Sequence, residues 1–87
     1  MNVFEALKMV KEDCNKAAYR ASWNDDPTIR GTVIVHHNSV MSGFAFYHSN
    51  ANPPEYILDD DARIGAEVNL LFMEDILAND WEVRDLR

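Results

Sequence analysis

The sequence predicts an α+β domain in which an antiparallel sheet packs against an N-terminal helix and a short C-terminal helix. Three observations support this class. Apolar residues recur at helical spacing near the start, two runs of β-forming residues flank a turn in the middle, and a helix followed by a strand closes the chain. No linker, repeat or low-complexity segment interrupts residues 1–87, so we expect one domain.

The first predicted element is a helix over residues 3–14. Asn2 and Glu5 have the spacing of a capping box, in which each side chain bonds the backbone of the other residue. Val3 and Leu7 then begin an apolar stripe at helical spacing. This pattern is typical of an amphipathic helix that covers one face of a sheet.

The middle of the chain predicts strands. Residues 16–22 are small or β-compatible, and a turn-forming run follows them. Residues 32–37 alternate in direction with apolar groups on both faces, and Gly43 opens a further strand over 44–48. We expect the last two strands to form an antiparallel hairpin.

The last third of the chain predicts shorter elements. A short edge strand is expected over 55–58, followed by an exposed acidic loop from Asp59 to Gly65. Asn69 is expected to cap a helix over residues 70–78. A final short strand is expected over Trp81–Val83.

Composition disfavours several classes of partner. A net charge of −7 repels the phosphates of DNA and RNA and the surface of an anionic membrane. No apolar run is long enough to span a bilayer, and no secretory signal pattern is present. The lone Cys14 cannot form an internal disulfide, so we expect a soluble protein of a reducing cytoplasm.

Catalytic and metal-binding patterns are missing from the sequence. His36 and His37 are adjacent in a predicted strand and point to opposite faces, and His48 has no cysteine or carboxylate at ligand spacing. The runs Asp25-Asp26 and Asp59-Asp60-Asp61 lack the alternating oxygens and closing glutamate of a calcium loop. We therefore expect no metal, no cofactor and no enzymatic activity.

Aromatic and polar residues that suit a planar ligand lie at the predicted end of the first strand. They are Tyr19, Arg20, Trp23 and Asn24, with Trp81 late in the chain. An indole stacks on a base, a guanidinium pairs with phosphate, and an amide bonds to base edges. Each Trp has two open interpretations, as a wall of a ligand pocket or as a core residue. The position of Trp23 favours a pocket wall, and the position of Trp81 favours the core.

Two parts of the chain resemble a known phage protein family. They are Phe4-Glu5-Ala6-Leu7 with Arg20 and Trp23-Asn24 near the start, and the closing stretch from Asp75 to Val83. This pattern resembles the second of the Thoeris anti-defence families. The resemblance implies a sponge that sequesters a cyclic ADP-ribose-like immune messenger in the host cytoplasm during phage infection, without cleaving it. It also implies a homotetramer with pockets between protomers, and relatives that take cyclic dinucleotides.

The resemblance also assigns roles to residues. It implies that Trp23 stacks on the purine, that Asn24 and Arg20 contact polar edges or phosphate, and that Asp75 lies on the short helix near the pocket. It further implies that Asp80-Trp81 fixes the last strand against the sheet.

One stretch of the chain departs from the family pattern. Family members often carry a Pro-Trp pair followed by a Pro-Ser-Gln-like helix start, whereas this chain has Val68-Asn69 and then Leu71-Phe72-Met73. If that Trp walls the pocket, Asn69 or Phe72 takes its place here.

Two other functions compete with messenger binding. The charge of −7 and the aspartate runs also suit an acidic inhibitor that mimics phosphate on a host enzyme. A third hypothesis, a small metal-dependent enzyme, is supported only by the three His and the many Asp residues.

Overall fold

A computed structural model describes residues 1–13, 15–37, 40–49, 64–68 and 71–86 of the chain. These residues form two helices and one antiparallel sheet, so the predicted α+β class is confirmed. In chain order the elements are α1 (Val3–Glu12), β1 (Lys16–Arg20), a 3₁₀ helix (Ala21–Asp25), β2 (Thr32–His36), β3 (Phe44–His48), β4 (Ile64–Glu67), α2 (Met73–Leu77) and β5 (Trp81–Asp85). Within those ranges, no helix has the length and apolar character needed to cross a membrane.

The sheet contains five strands in the order β4-β3-β2-β1-β5, and every neighbouring pair is antiparallel. The predicted hairpin is confirmed, with β2 and β3 paired over their full lengths. Gly43 has a φ of 82° in the connecting turn, a conformation that costs glycine little. At the other side of the sheet, β1 pairs with the distant β5, which places Arg20 opposite Trp81.

Helix α1 begins at the predicted capping box. The Asn2 side chain accepts the Glu5 amide at 2.9 Å, and the Glu5 carboxylate accepts the Asn2 amide at 3.2 Å. The helix ends at Glu12, two residues before its predicted end, because Asp13 is already extended. Cys14 lies outside the described residues.

The core has two parts, one on each face of the sheet. On the face covered by α1, Val10 packs with Ile34 and Trp81 in a buried cluster. On the opposite face, Val33 and Val35 form a second buried cluster with further strand residues. This confirms that both faces of β2 are apolar, since neighbouring side chains on a strand point in opposite directions.

The predicted strand over residues 16–22 is too long. β1 ends at Arg20, and Ala21–Asp25 form the 3₁₀ helix. The change follows from contacts with the far end of the chain, since Asp80 accepts the Ala21 amide through its carbonyl and the Ser22 amide through its carboxylate. These bonds turn the backbone and direct Trp23 into the core.

The predicted cap of the second helix is wrong. α2 covers only Met73–Leu77, and its N-cap is Phe72 instead of Asn69. Phe72 is extended, with ψ of 148°, and its carbonyl accepts the first helical hydrogen bonds. An extended residue at this position excludes a helix that begins at residue 70.

The prediction of an exposed loop as far as Gly65 is also wrong at its end. Ile64–Glu67 form β4, which pairs with β3 through an irregular register. β4 is therefore an edge strand of the described sheet. The predicted strand over 55–58 and the acidic run from Asp59 to Asp61 lie outside the described residues.

Candidate functional site

A cavity of about 490 Å³ opens on the α1 side of the sheet. Its walls come from the 3₁₀ helix, the turn that leads to β2, the middle of β3 and the segment at the start of α2. This volume falls within the range of small-molecule binding sites. The segments meet there because β1 and β5 pair and bring α2 beside the 3₁₀ helix.

The apolar walls are largely aromatic. Trp23, Phe46 and Phe72 line the cavity together with Ile29 and Leu71. Trp23 is 7% exposed, whereas Phe72 is 76% exposed. A buried indole at the wall and an exposed ring at the mouth offer two apolar surfaces for a planar ligand.

Most polar side chains of the described lining are acidic or carry a hydroxyl. Three acidic residues, Asp26, Glu74 and Asp75, line the cavity together with Thr28 and Thr32. None of the described lining residues is Lys, Arg or His. The described lining residues therefore carry only negative charge, which was not predicted from the sequence.

Arg20 fixes Asp75 at the cavity wall. The Arg20 guanidinium donates from Nη1 to Asp75 Oδ1 and from Nε to Asp80 Oδ1, both at 2.7 Å. The Arg20 and Asp75 side chains are only 17% and 10% exposed, so water screens this ion pair weakly. The hydrogen bonds that Arg20 donates to Asp80 and to Asp75 raise the pKa of Arg20, and the bond that Asp80 accepts from Arg20 lowers the pKa of Asp80.

Trp81, a core residue, binds the backbone of Asp75. Its indole Nε1 donates to the Asp75 carbonyl at 2.7 Å, and the ring is 1% exposed. Its ring also meets Trp23 in an edge-to-face contact with the centroids 5.4 Å apart. The core interpretation of Trp81 is thus correct, and Trp23 is both a core residue and a cavity wall.

The predicted site residues divide into separate locations. Trp23, Phe72 and Asp75 line the cavity. Arg20 lies behind Asp75, bound to carboxylates of its own chain. Asn24 is exposed on the 3₁₀ helix and is not among the lining residues.

Two further predicted site residues lie elsewhere. Tyr19 is half-buried on β1 and packs against both core clusters. Asn69 lies outside the described residues. Their assignment to the ligand stays a prediction.

Sequence reasoning missed the turn that forms the far wall. Asp26 was interpreted as part of a solvated turn, yet its Oδ1 accepts from the Thr28 amide at 2.9 Å and the Thr28 hydroxyl at 2.6 Å. These two bonds lower the pKa of Asp26. The Asp-Pro-Thr spacing is a local signal for such a turn, but nothing local to it reveals that the turn faces a cavity.

Metal ligation is not indicated in the part of the chain that the structure describes, since no three His, Cys, Asp or Glu residues are grouped there to hold an ion. Comparisons of the chain with protein-family models, curated proteins and solved structures found no match.

Proposed function

We propose that the protein binds and sequesters a cyclic nucleotide immune messenger, of the glycocyclic ADP-ribose type or a cyclic dinucleotide, in the host cytoplasm during phage infection. The observation that carries the proposal is the cavity walled by Trp23 and Phe72. Aromatic side chains bind bases through stacking, which suits any nucleotide with a planar ring. The resemblance of Arg20, Trp23-Asn24 and the closing stretch to phage anti-defence proteins narrows the ligand to a messenger.

The charge of the cavity determines how such a ligand would lie. Asp26, Glu74 and Asp75 repel phosphates, so the base occupies the cavity and the phosphates remain outside. Arg30 is exposed in the turn directly after Ile29, a lining residue, and is available to the phosphates at the rim.

Isothermal titration with cyclic ADP-ribose isomers and cyclic dinucleotides tests this proposal. We expect binding, and we expect the bound messenger to be recovered intact after the protein is heat-denatured. If no messenger produces heat at micromolar protein, sequestration is excluded. Salt-sensitive capture of a basic host enzyme would then favour the acidic inhibitor.

Replacing Phe72 with alanine should weaken messenger binding by about 1–3 kcal/mol, the contribution of one stacked aromatic ring. The fold should tolerate the change because this ring is 76% exposed. Phe4→Ala is the matched control, since Phe4 is 73% exposed and is not among the lining residues. Equal losses of affinity in the two variants, measured by titration, would contradict a stacking role for Phe72.

The proposal includes assembly into a homotetramer with pockets at subunit interfaces. It is supported by Met73 and Leu77, which are 67% and 71% exposed on α2 beside the cavity. Exposed apolar groups of this kind commonly mark contact surfaces. Sedimentation velocity should give the mass of a tetramer, and Leu77→Glu should reduce that mass. Met41→Glu, at a fully exposed residue in the β2–β3 turn, should leave it unchanged.

A further inference from the structure

We infer that the cavity selects a base that presents an amino group, because its described lining carries three carboxylates, which accept hydrogen bonds, and no cationic donor. This inference rests on the proposed function and specifies which messengers the site prefers. It concerns the edge of the base that enters the cavity, and it predicts discrimination between ligands that differ by a single exocyclic amine.

Asp75 is the most buried of the three acidic lining residues. The residue is 7% exposed and lines the cavity, and its Oδ1 accepts from Arg20 at 2.7 Å. Its second oxygen, Oδ2, has no hydrogen-bond donor among the described residues. A carboxylate can only accept hydrogen bonds. A ligand donor at this position would therefore complete a buried ion pair.

Asp26 and Thr28 supply acceptors from a different segment. The Thr28 hydroxyl donates a hydrogen bond to Asp26 Oδ1, so its oxygen can only accept a hydrogen bond from a ligand. Glu74 adds a third carboxylate. The single nitrogen on a described lining side chain is the indole Nε1 of Trp23, which carries no charge.

These acceptors lower the affinity for a base that has a carbonyl or a C–H group in place of the amine. A carbonyl facing Asp75 is repelled, and a C–H leaves a desolvated carboxylate oxygen without a donor. Hydrogen bonds to charged groups are the stronger class, so the loss of one amine should weaken binding by about 10- to 100-fold. Adenine and guanine carry exocyclic amines, whereas hypoxanthine and unsubstituted purine do not.

The test compares two pairs of ligands that each differ by one amino group. Cyclic di-guanylate is titrated against cyclic di-inosinate by calorimetry, and adenosine against purine riboside by NMR chemical-shift changes. We expect the amino-bearing member of each pair to bind about 10- to 100-fold more tightly. Asp75→Asn and Glu74→Gln replace an acceptor with an amide, and each should reduce this ratio several-fold.

Glu82→Gln is the matched control, because Glu82 is an exposed residue of β5 outside the cavity lining and loses the same charge. It should preserve the ratio. Glu74→Gln keeps the test valid if Asp75→Asn fails to fold, since Glu74 is exposed.

The outcomes separate the two proposals. Equal binding of amino-bearing and amino-free cyclic dinucleotides would overturn the selectivity and leave messenger sequestration intact. Preference for adenosine over purine riboside without any binding of cyclic messengers would support the selectivity and overturn sequestration. Absence of binding by every ligand would overturn both.

Discussion

Replacing Arg20 with methionine should lower the free energy of unfolding by about 3 kcal/mol, because it leaves Asp75 as a buried carboxylate without its cation. The same change removes the guanidinium donor from Asp80, which keeps its hydrogen bond from the Ser22 amide. Urea denaturation followed by circular dichroism measures the loss. The double variant Arg20→Met with Asp75→Asn should lose less than the two single variants together, since the two residues interact directly.

Lys16→Met provides the control for this experiment. Lys16 lies on the same strand as Arg20 and forms an ion pair with Asp85, but the two side chains of that pair are 32% and 69% exposed. Exposed pairs contribute about 1 kcal/mol or less. Equal destabilisation by Arg20→Met and Lys16→Met would contradict a special role for the buried pair.

Replacing Trp81 with phenylalanine should lower the free energy of unfolding by about 2–4 kcal/mol. The substitution leaves the buried Asp75 carbonyl without the indole donor that now lies at 2.7 Å, and it removes ring volume from the core. Messenger binding should weaken as well, because the Asp75 backbone loses one of its fixed contacts. Urea denaturation and titration on the same sample measure both effects.

Trp23→Phe separates the lost hydrogen bond from the lost volume. The Trp23 indole N–H has no hydrogen bond with the described residues, so this variant loses packing alone. Its destabilisation should be the smaller of the two. If Trp23→Phe is as destabilising as Trp81→Phe, the bond to Asp75 contributes nothing measurable to stability.

The parts of the fold that local signals specify were predictable. The capping box at Asn2 and Glu5 and the turn glycine at residue 43 are encoded within a few residues, and both occur as expected. The alternation in β2 was also predictable, because the strand periodicity of two needs no tertiary information. These signals were sufficient to predict the α+β class.

The elements shaped by distant residues were not predictable. The strand that includes residue 20 ends early because Asp80 binds the next two amides, across about 60 positions of sequence. Asn69 has the ideal chemistry for a cap, yet the backbone at Phe72 excludes the helical turn that it would cap. Propensity is a weak determinant where tertiary contacts compete with it.

The candidate site shows the same division. Stacking chemistry identified Trp23, and the family resemblance added Asp75 and Phe72, all of which line the cavity. The resemblance could not show that Arg20 binds Asp75 and Asp80, since such pairs depend on the β1–β5 register. The far wall was missed because Asp26 and Phe46 reach the cavity only through the fold.

The pairing of β1 with β5 has a consequence for how the protein emerges from the ribosome. β5 follows every other described element, so the edge of β1 lacks its neighbour until residues 81–85 have been synthesised. To complete the sheet, β1 must then pair with residues more than 60 positions away in sequence, and pairing of such distant strands is slow. Until β5 pairs with β1, the Asp75 carbonyl lacks its bond from the Trp81 indole, and Arg20 is not yet fixed beside the Asp75 carboxylate. A nascent chain therefore acquires a complete cavity only after β5 docks.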